Sequence, residues 1–250
     1  NDLALDPLTG NLLAACGTTG VLSWNGVAWT ALGLPFGVTN YRSICFTPDG
    51  TLYLGGDFVD GLGDDYLRLR RYLPETDSWQ AITNGSIPMV DDAGTIYSVR
   101  SLSDGRIVVG GDFTNIGADA FNNVAIYNGQ RLSPMNGGFN ALVRGVFVNS
   151  EDVVYIVGDF TAEVQTTYTN VWCTISGVAI WRGSTWYPLD AFFTGSADIY
   201  AIAFNGEDVF FGGDPEKPIE HSGDTTVSLV GAGRFYPRVV ITADNGATLY

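Results

Sequence analysis

One short stretch recurs along the chain, an apolar run that ends in glycine and aspartate. It occupies residues 52–58, 107–113, 155–160 and 209–214. The third copy has Val157 in place of its first glycine, and the fourth is followed by Pro215 where a Phe would stand. An apolar run and a polar turn precede each copy, and a polar loop and an aromatic run follow it. A unit of this size that repeats in one chain predicts an array of similar supersecondary elements.

The repeat predicts an all-β fold of four short antiparallel strands per unit. Its aspartates, Asp57, Asp112, Asp159 and Asp214, are separated by 55, 47 and 55 residues. Turn residues such as Asn25-Gly26 and Asn128-Gly129 join the apolar runs as in β-hairpins. No stretch has a helical period. Four strands in a repeat of this length are typical of a β-propeller, and we expect five blades, with six as the alternative.

Two copies carry a family resemblance. "GGDF…RYLPETDSW" within residues 55–79 resembles a kelch-type blade, and "GGDFTNIGADAFNNVAIYNG" at residues 110–129 is similar to GGDF-type repeats of bacterial, fungal surface and phage-associated proteins. The resemblance covers residues 1–236 and implies propeller architecture. It does not specify a function, because one fold serves many functions. Residues 237–250 are expected to begin a following β segment or a sixth blade.

Composition excludes several classes of partner. The chain has 250 residues, with 12 Lys and Arg against 27 Asp and Glu, a net charge of −15. Such a charge repels nucleic acid phosphates and anionic membranes, and no apolar run reaches the roughly 20 residues of a transmembrane helix. The three cysteines form no CxxC motif. Because the chain starts without Met and within a strand pattern, we expect it to be part of a larger extracellular or virion-associated protein.

Candidate catalytic and metal-binding groups have simpler interpretations. The repeated aspartates could bind a metal, but we interpret them as caps of backbone N–H groups in the following loop. Residues 60–65 offer oxygen ligands without EF-hand spacing, so no metal and no cofactor are expected. His221 is the only histidine and lies beside Ser222 and Asp224, too close in one loop to form a triad. We therefore expect a protein that is not an enzyme, with a propeller enzyme acting on carbohydrate as the alternative.

The loops predict where a partner binds. The loops from second to third strand, and those between units, should leave one face of a propeller, while the other face carries tight turns. Long loops on a rigid scaffold usually hold the binding residues. The repeating aromatics, such as Trp24, Tyr72 and Trp186, are expected to pack between blades. The predicted binding residues lie outside that series: Tyr66, Phe121, Tyr168, Trp172, Asn122 and Asn170. We expect them to be exposed and to contact a glycan or a protein, with an architectural phage tail role as the alternative.

Overall fold

The computed structural model describes most of the repeated units. The described residues are 2–33, 38–58, 68–82, 94–116, 119–165, 172–188, 199–205, 208–213, 232–235, 241–242 and 248–249. Within these ranges the chain forms strands, turns and bends and contains no helix. The all-β prediction is therefore confirmed.

Sheets 1 and 2 each contain four strands that pair in chain order. Every pair is antiparallel. The strands of sheet 1 are β1 (Asp2–Leu5), β2 (Leu12–Cys16), β3 (Gly20–Trp24) and β4 (Trp29–Ala31). Those of sheet 2 are β5 (Val38–Phe46), β6 (Leu52–Phe58), β7 (Leu69–Leu73) and β8 (Ser78–Ala81).

Sheets 3 and 4 repeat this arrangement, with a small hairpin inserted in sheet 3. The strands of sheet 3 are β9 (Ile96–Ser101), β10 (Ile107–Gly111), β13 (Val124–Tyr127) and β14 (Leu132–Pro134). Between β10 and β13, the inserted hairpin is formed by β11 (Asn115–Ile116) and β12 (Asp119–Ala120). Sheet 4 contains β15 (Val143–Val148), β16 (Val154–Gln165), β17 (Trp172–Arg182) and β18 (Thr185–Pro188).

Sheet 5 has three described strands, β19 (Ile199–Asn205), β20 (Asp208–Gly213) and β21 (Ala232–Phe235). The sequence places a third strand at residues 226–230, which lie outside the described residues, and a fourth near Phe235. The structure instead pairs Phe235 with Val209 of the second strand, so Phe235 belongs to the third strand and that prediction is wrong. A separate pair, β22 (Ile241–Thr242) and β23 (Thr248–Leu249), follows. The domain boundary at residue 236 and the number of blades stay predictions.

The turns between first and second strands use side chains that accept backbone N–H groups. Asp49 Oδ1 accepts from Thr51 N at 3.1 Å, and Asp104 Oδ1 accepts from Arg106 N at 3.0 Å. Gly50 and Gly105 follow with φ of 84° and 85°, a region that glycine adopts at little cost. These short polar turns lie at one end of the sheets, and the longer connections leave from the other end.

The hydrophobic core lies between consecutive sheets. Four clusters of buried side chains join sheets 1 and 2, 2 and 3, 3 and 4, and 4 and 5. The first strands also contact one another in order, β1 with β5, β5 with β9, β9 with β15, and β15 with β19. The sheets therefore stack face to face with their first strands on a shared inner side.

The repeating aromatics contribute to this packing. The Trp186 indole N–H donates to Met135 O at 2.8 Å, in the loop that leaves sheet 3, and Trp79 donates to Gly33 O beyond sheet 1. In sheets 1, 2 and 4 the indole of the fourth strand stacks on an aromatic of the third strand, for example Trp186 on Trp181 at 4.8 Å. Packing between neighbouring units is thus confirmed at Trp79 and Trp186.

Candidate functional site

A β-bulge interrupts the first strand at the same place in sheets 2 to 5. In sheet 3, Ile96 pairs with Gly111 and Ser98 pairs with Gly110, which leaves Tyr97 as the extra residue. The same shift leaves one extra residue in the first strands of the other three sheets, Arg42, Arg144 and Tyr200. We call Arg42, Tyr97, Arg144 and Tyr200 the bulge set. Bulges redirect a side chain and are common beside functional sites.

All four bulge residues line one cavity of about 430 Å³. The cavity also contacts Asp2 of the first strand of sheet 1, so first strands of all five sheets contribute to it. Its wall is completed by Gly17, Asn40, Ser43, Ser98, Arg100, Gly145 and Phe147. Each bulge lies near the beginning of its first strand, next to the end of the second strand of the same sheet. The cavity is therefore on the side of the molecule from which the long loops leave.

Arginine and tyrosine alternate within the bulge set. The Arg42 guanidinium carbon lies 4.4 Å from the centroid of the Tyr97 ring, and that of Arg144 lies 6.0 Å from the Tyr200 ring. A guanidinium over an aromatic face is attracted by the negative charge of the ring face. Tyr200 is 52% exposed, so this side of the cavity is open to solvent.

A polar network lies beside the bulge set. Arg100 Nη1 donates to Asp2 Oδ2 at 2.7 Å, and Ser43 Oγ donates to the same oxygen at 2.7 Å. The Ile44 backbone N–H also donates to Asp2 Oδ2 at 3.2 Å. These bonds join sheets 1, 2 and 3 and satisfy the Asp2 carboxylate.

The two arginines of the bulge set differ in their partners. Arg144 forms a bidentate ion pair with Asp159, with Nε at 2.8 Å and Nη2 at 2.6 Å from its oxygens. In the described part of the chain, no carboxylate pairs with Arg42, and its buried Nε has no hydrogen-bond partner. The cavity thus contains one guanidinium whose charge and donors are not matched by described residues.

Two of the repeated aspartates do not act as predicted. Asp112 accepts from the backbone N–H of Thr95, which precedes β9, and Asp159 binds Arg144. The interpretation as caps of the following loop is wrong at these two positions, because folding brings the start of the first strand against the end of the second. Asp57 binds Arg68 at 2.6 Å, and Asp214 lies outside the described residues. The described residues contain no group of three or more His, Cys, Asp or Glu placed to bind a metal ion.

The predicted binding residues have mixed outcomes. Phe121 is only 1% exposed and packs in the core cluster between sheets 2 and 3, so its predicted exposure is wrong. Its backbone N–H donates to Thr114 O at 2.8 Å, which folds the loop back over the ring. The partly buried Asn122 donates from its amide to Gly137 O at 2.7 Å, a bond that joins two loops.

The remaining predicted residues are not tested. Tyr66, Tyr168 and Asn170 lie outside the described residues. Trp172 begins β17, where its backbone pairs with Gln165, and its side chain is outside the described part. Residues 60–65 and His221 also lie outside it. Roles for these residues in binding stay predictions.

A second cavity, of about 650 Å³, lies between sheets 1 and 2 at the tight-turn end. It is larger, but only two sheets form it. Arg71 is its one cation, against the carboxylates of Asp6, Asp49 and Glu75. Asp6 and Asp49 already accept hydrogen bonds within their own turns, and these bonds lower the pKa of Asp49. This cavity is a weaker candidate, because its carboxylates belong to structural turns, although the buried Nε of Arg71 in β7 also has no described partner.

Sequence reasoning missed the bulge set, although the sequence carries a signal for it. Arg42, Tyr97, Arg144 and Tyr200 are separated by 55, 47 and 56 residues, nearly the spacing of the repeated aspartates. Each follows the first buried residue of its first strand and precedes a small residue, as in Ile96-Tyr97-Ser98. Alignment of the first strands on the glycines would have identified the series.

Comparisons with known proteins agree with the architecture. A family model described as a β-propeller domain of unknown function, DUF5122, matches residues 102–128, which include one Gly-Gly-Asp copy. The chain is similar to the solved structure of YCF48 bound to D1 peptide, with a TM-score of 0.50 and 13% identity over 86% of this chain and 60% of that one. The fold is a β-propeller.

A second solved structure extends the comparison. An extracellular domain from B. thetaiotaomicron matches this propeller with a TM-score of 0.48 and 15% identity, over 91% of this chain and 32% of that one. The chain therefore spans 60% of the YCF48 structure and 32% of the extracellular domain. No curated protein matches it. Within the described ranges, no helix has the length and hydropathy to span a membrane. The kelch-type and GGDF-type assignments of its repeats stay predictions.

Proposed function

We propose that this propeller is a non-enzymatic module that binds a segment of another protein in the cavity lined by the bulge set. The observation that carries the proposal is the repetition of the bulge in four sheets, each time with an Arg or Tyr that faces one cavity. A bulge costs ladder hydrogen bonds, so its recurrence at one site favours a use for the redirected side chains. Arg and Tyr are also the residue types that dominate protein interfaces.

The similarity to YCF48 supports a peptide as the partner, since that propeller is seen with the D1 peptide bound. We propose an extracellular or virion-associated parent protein, as the repeat resemblance implies. We also propose that the module has no catalytic activity, because the carboxylates nearest the cavity, Asp2 and Asp159, are each held by an arginine. A screen for hydrolysis of chromogenic glycosides tests that part of the proposal.

Binding is tested by selecting peptides from a random dodecapeptide library on the whole chain and measuring their affinity by calorimetry. Tyr200→Ala removes an exposed aromatic from the cavity, and we expect it to weaken selected peptides by about tenfold or more. Leu8→Ala is the matched control, because Leu8 is 71% exposed and lines the second cavity. Failure to select any peptide contradicts the proposal. Dependence on Leu8 instead of Tyr200 also contradicts it and moves the site to the tight-turn face.

A further inference from the structure

We infer that the bulge set is a carboxylate-binding site, with Arg42 as its anchor, and that the bound protein segment presents a carboxylate to it. This inference rests on the proposed function and adds the chemical class of the partner. The carboxylate can come from Asp or Glu side chains or from the end of a peptide chain. Both sources present the same planar pair of oxygens to a guanidinium.

The geometry of Arg42 suits this role. Its guanidinium stacks over the Tyr97 ring at 4.4 Å, an arrangement in which the N–H groups point along the edges of the guanidinium plane. Guanidinium N–H groups form a rigid fork that matches the two oxygens of a carboxylate. The buried Nε has no partner among the described residues. Arg42 therefore keeps a guanidinium donor that no described residue satisfies.

The local charge also favours an anion. Three guanidinium groups line the cavity, from Arg42, Arg100 and Arg144, and two carboxylates pair with them, from Asp2 and Asp159. The site therefore has excess positive charge in a chain whose net charge is −15. Over distances beyond about 8 Å, salt screens the repulsion from the rest of the surface. An acidic peptide would thus meet a locally positive site on a chain that is acidic overall.

The stacked arginines favour a peptide over an acidic sugar. Sugars bind to aromatic platforms that expose a ring face. Here the Arg42 guanidinium covers a face of Tyr97, and that of Arg144 lies toward a face of Tyr200. The group that remains for a ligand is the edge of the Arg42 guanidinium plane, which is suited to a carboxylate.

Fluorescence anisotropy with rhodamine-labelled peptides tests the inference on the whole chain. The probes are hexaglutamate amide, hexaglutamine amide and hexaglutamine with a free carboxyl end. We expect the wild-type chain to bind at least one carboxylate-bearing probe and to bind hexaglutamine amide at least about tenfold more weakly. Binding of hexaglutamate amide assigns the site to acidic side chains, and binding of the free-acid hexaglutamine assigns it to the chain end.

Arg42→Gln should weaken the binding of a carboxylate-bearing probe by about tenfold or more. Arg106→Gln is the matched control, because it changes the net charge equally at an exposed tight turn, where Arg106 pairs with Asp104. It should change affinity by less than about twofold. Arg42→Lys keeps the charge but loses the fork, so an intermediate loss is expected. This variant also keeps the test valid if Arg42→Gln does not fold.

Three results would overturn the inference. The first is equal affinity for hexaglutamate amide and both hexaglutamine probes, and the second is an equal loss of affinity in the Arg42 and Arg106 variants. The third is binding of trigalacturonate that is tighter than binding of the peptide probes and is weakened equally by Arg42→Gln. The last would assign the site to an acidic glycan. If the library yields neutral peptides whose binding depends on Tyr200, the proposed function is supported. The inference that the site requires a carboxylate is then contradicted. Absence of any selected peptide would contradict both.

Discussion

Sheets 1 and 3 have the same four strands but differ at the inner edge. In sheet 1, β1 pairs with β2 without a shift, from Asp2 with Ala15 to Leu5 with Leu12. In sheet 3, the pairing shifts between Gly110 and Gly111. Sheet 1 has no Gly-Gly-Asp motif, and the side chain that its first strand presents to the cavity is the carboxylate of Asp2. The motif therefore accompanies the bulge, and the bulge decides which side chain lines the cavity.

Sheet 4 separates the roles of the two glycines. Its motif keeps only the second glycine, Gly158, yet its first strand still has the bulge. A Cβ on Gly158 would overlap the backbone oxygen of Leu142, as one on Gly111 would overlap that of Thr95. The first glycine position serves another contact, since a Cβ on Gly110 would meet Val143 and Val146 of the next sheet. The second glycine thus permits the bulge, and the first permits close packing of sheets.

A further difference concerns the outer face of sheet 1. Trp29 occupies the position in sheet 1 that Trp186 occupies in sheet 4, but Trp29 is 47% exposed and Trp186 is buried. Leu3 and Leu5 are exposed on the same face. A preceding sheet covers Trp186, whereas none of the described residues covers this face of sheet 1. Covering by a neighbour, and not the residue type, decides the burial of these aromatics.

The largest effect is expected where the bulge requires a glycine. Gly111→Val places side-chain atoms on the Thr95 carbonyl and within 2.9 Å of the Phe113 ring. Backbone cannot move aside cheaply, so we expect a loss of about 3 kcal/mol in the free energy of unfolding. Urea denaturation measures it. An unchanged midpoint would show that the second glycine is not needed for the bulge.

A matched pair of variants tests the role of the first glycine of the motif. Gly110→Ala would bring the new methyl to 2.9 Å from Val146 Cγ2 and closer still to Val143, and we expect a loss of about 2 kcal/mol. Gly212→Ala changes the corresponding residue of sheet 5, where the nearest atom among the described residues is Ala201 Cβ at 3.9 Å. We expect a change below about 0.5 kcal/mol there. Equal losses in the two variants would contradict the role assigned to sheet packing.

The contribution of sheet 1 to the cavity is tested at Asp2. Asp2→Ala removes the acceptor shared by Ser43 Oγ and Arg100 and leaves these donors partly buried. We expect a loss of about 1–2 kcal/mol in the free energy of unfolding. Asp104→Ala removes an exposed ion pair with Arg106, and the loss should be below about 1 kcal/mol. Equal losses of unfolding free energy in Asp2→Ala and Asp104→Ala would contradict the role assigned to Asp2.

A smaller, pH-dependent effect distinguishes the covered face of sheet 2 from the outer face of sheet 1. Burial raises the pKa of the Cys45 thiol from 9.0 to about 12. The unfolded thiol ionises first, so its contribution to stability is complete below pH 9 and falls as pH rises from 9 toward 12.

Between pH 8 and 10, we expect wild type to lose about 1 kcal/mol more than Cys45→Ala in the free energy of unfolding measured with urea. The raised pKa values of Tyr127 and Tyr155 act in the same direction in both proteins and cancel in the comparison, and among the causes that raise the pKa of Tyr53 burial is the largest and Cys45 the smallest. The control Cys16→Ala alters the outer face of sheet 1 and should retain the full wild-type loss. Parallel pH profiles for wild type and Cys45→Ala would show that the thiol is not buried.

Local patterns along the chain were enough to predict the four-stranded pattern of sheets 1 to 4. The apolar runs at residues 52–58 and 107–113, and turns such as Asn128-Gly129, are signals that depend only on neighbouring residues. Repetition of one unit then predicted that the sheets share one architecture. These features were predictable because strand and turn preferences are set within a few residues.

Contacts between distant residues decided the site. The extra residue of each bulge depends on the register of two strands, and a shift of one residue redirects every side chain beyond it. The partners of Asp112 and Asp159, and the burial of Phe121, likewise depend on where a loop meets a neighbouring strand. The sequence by itself determined the repeated strands and turns. Only the tertiary structure decided which side chains meet in the cavity, because register and sheet stacking bring together residues about 50 positions apart.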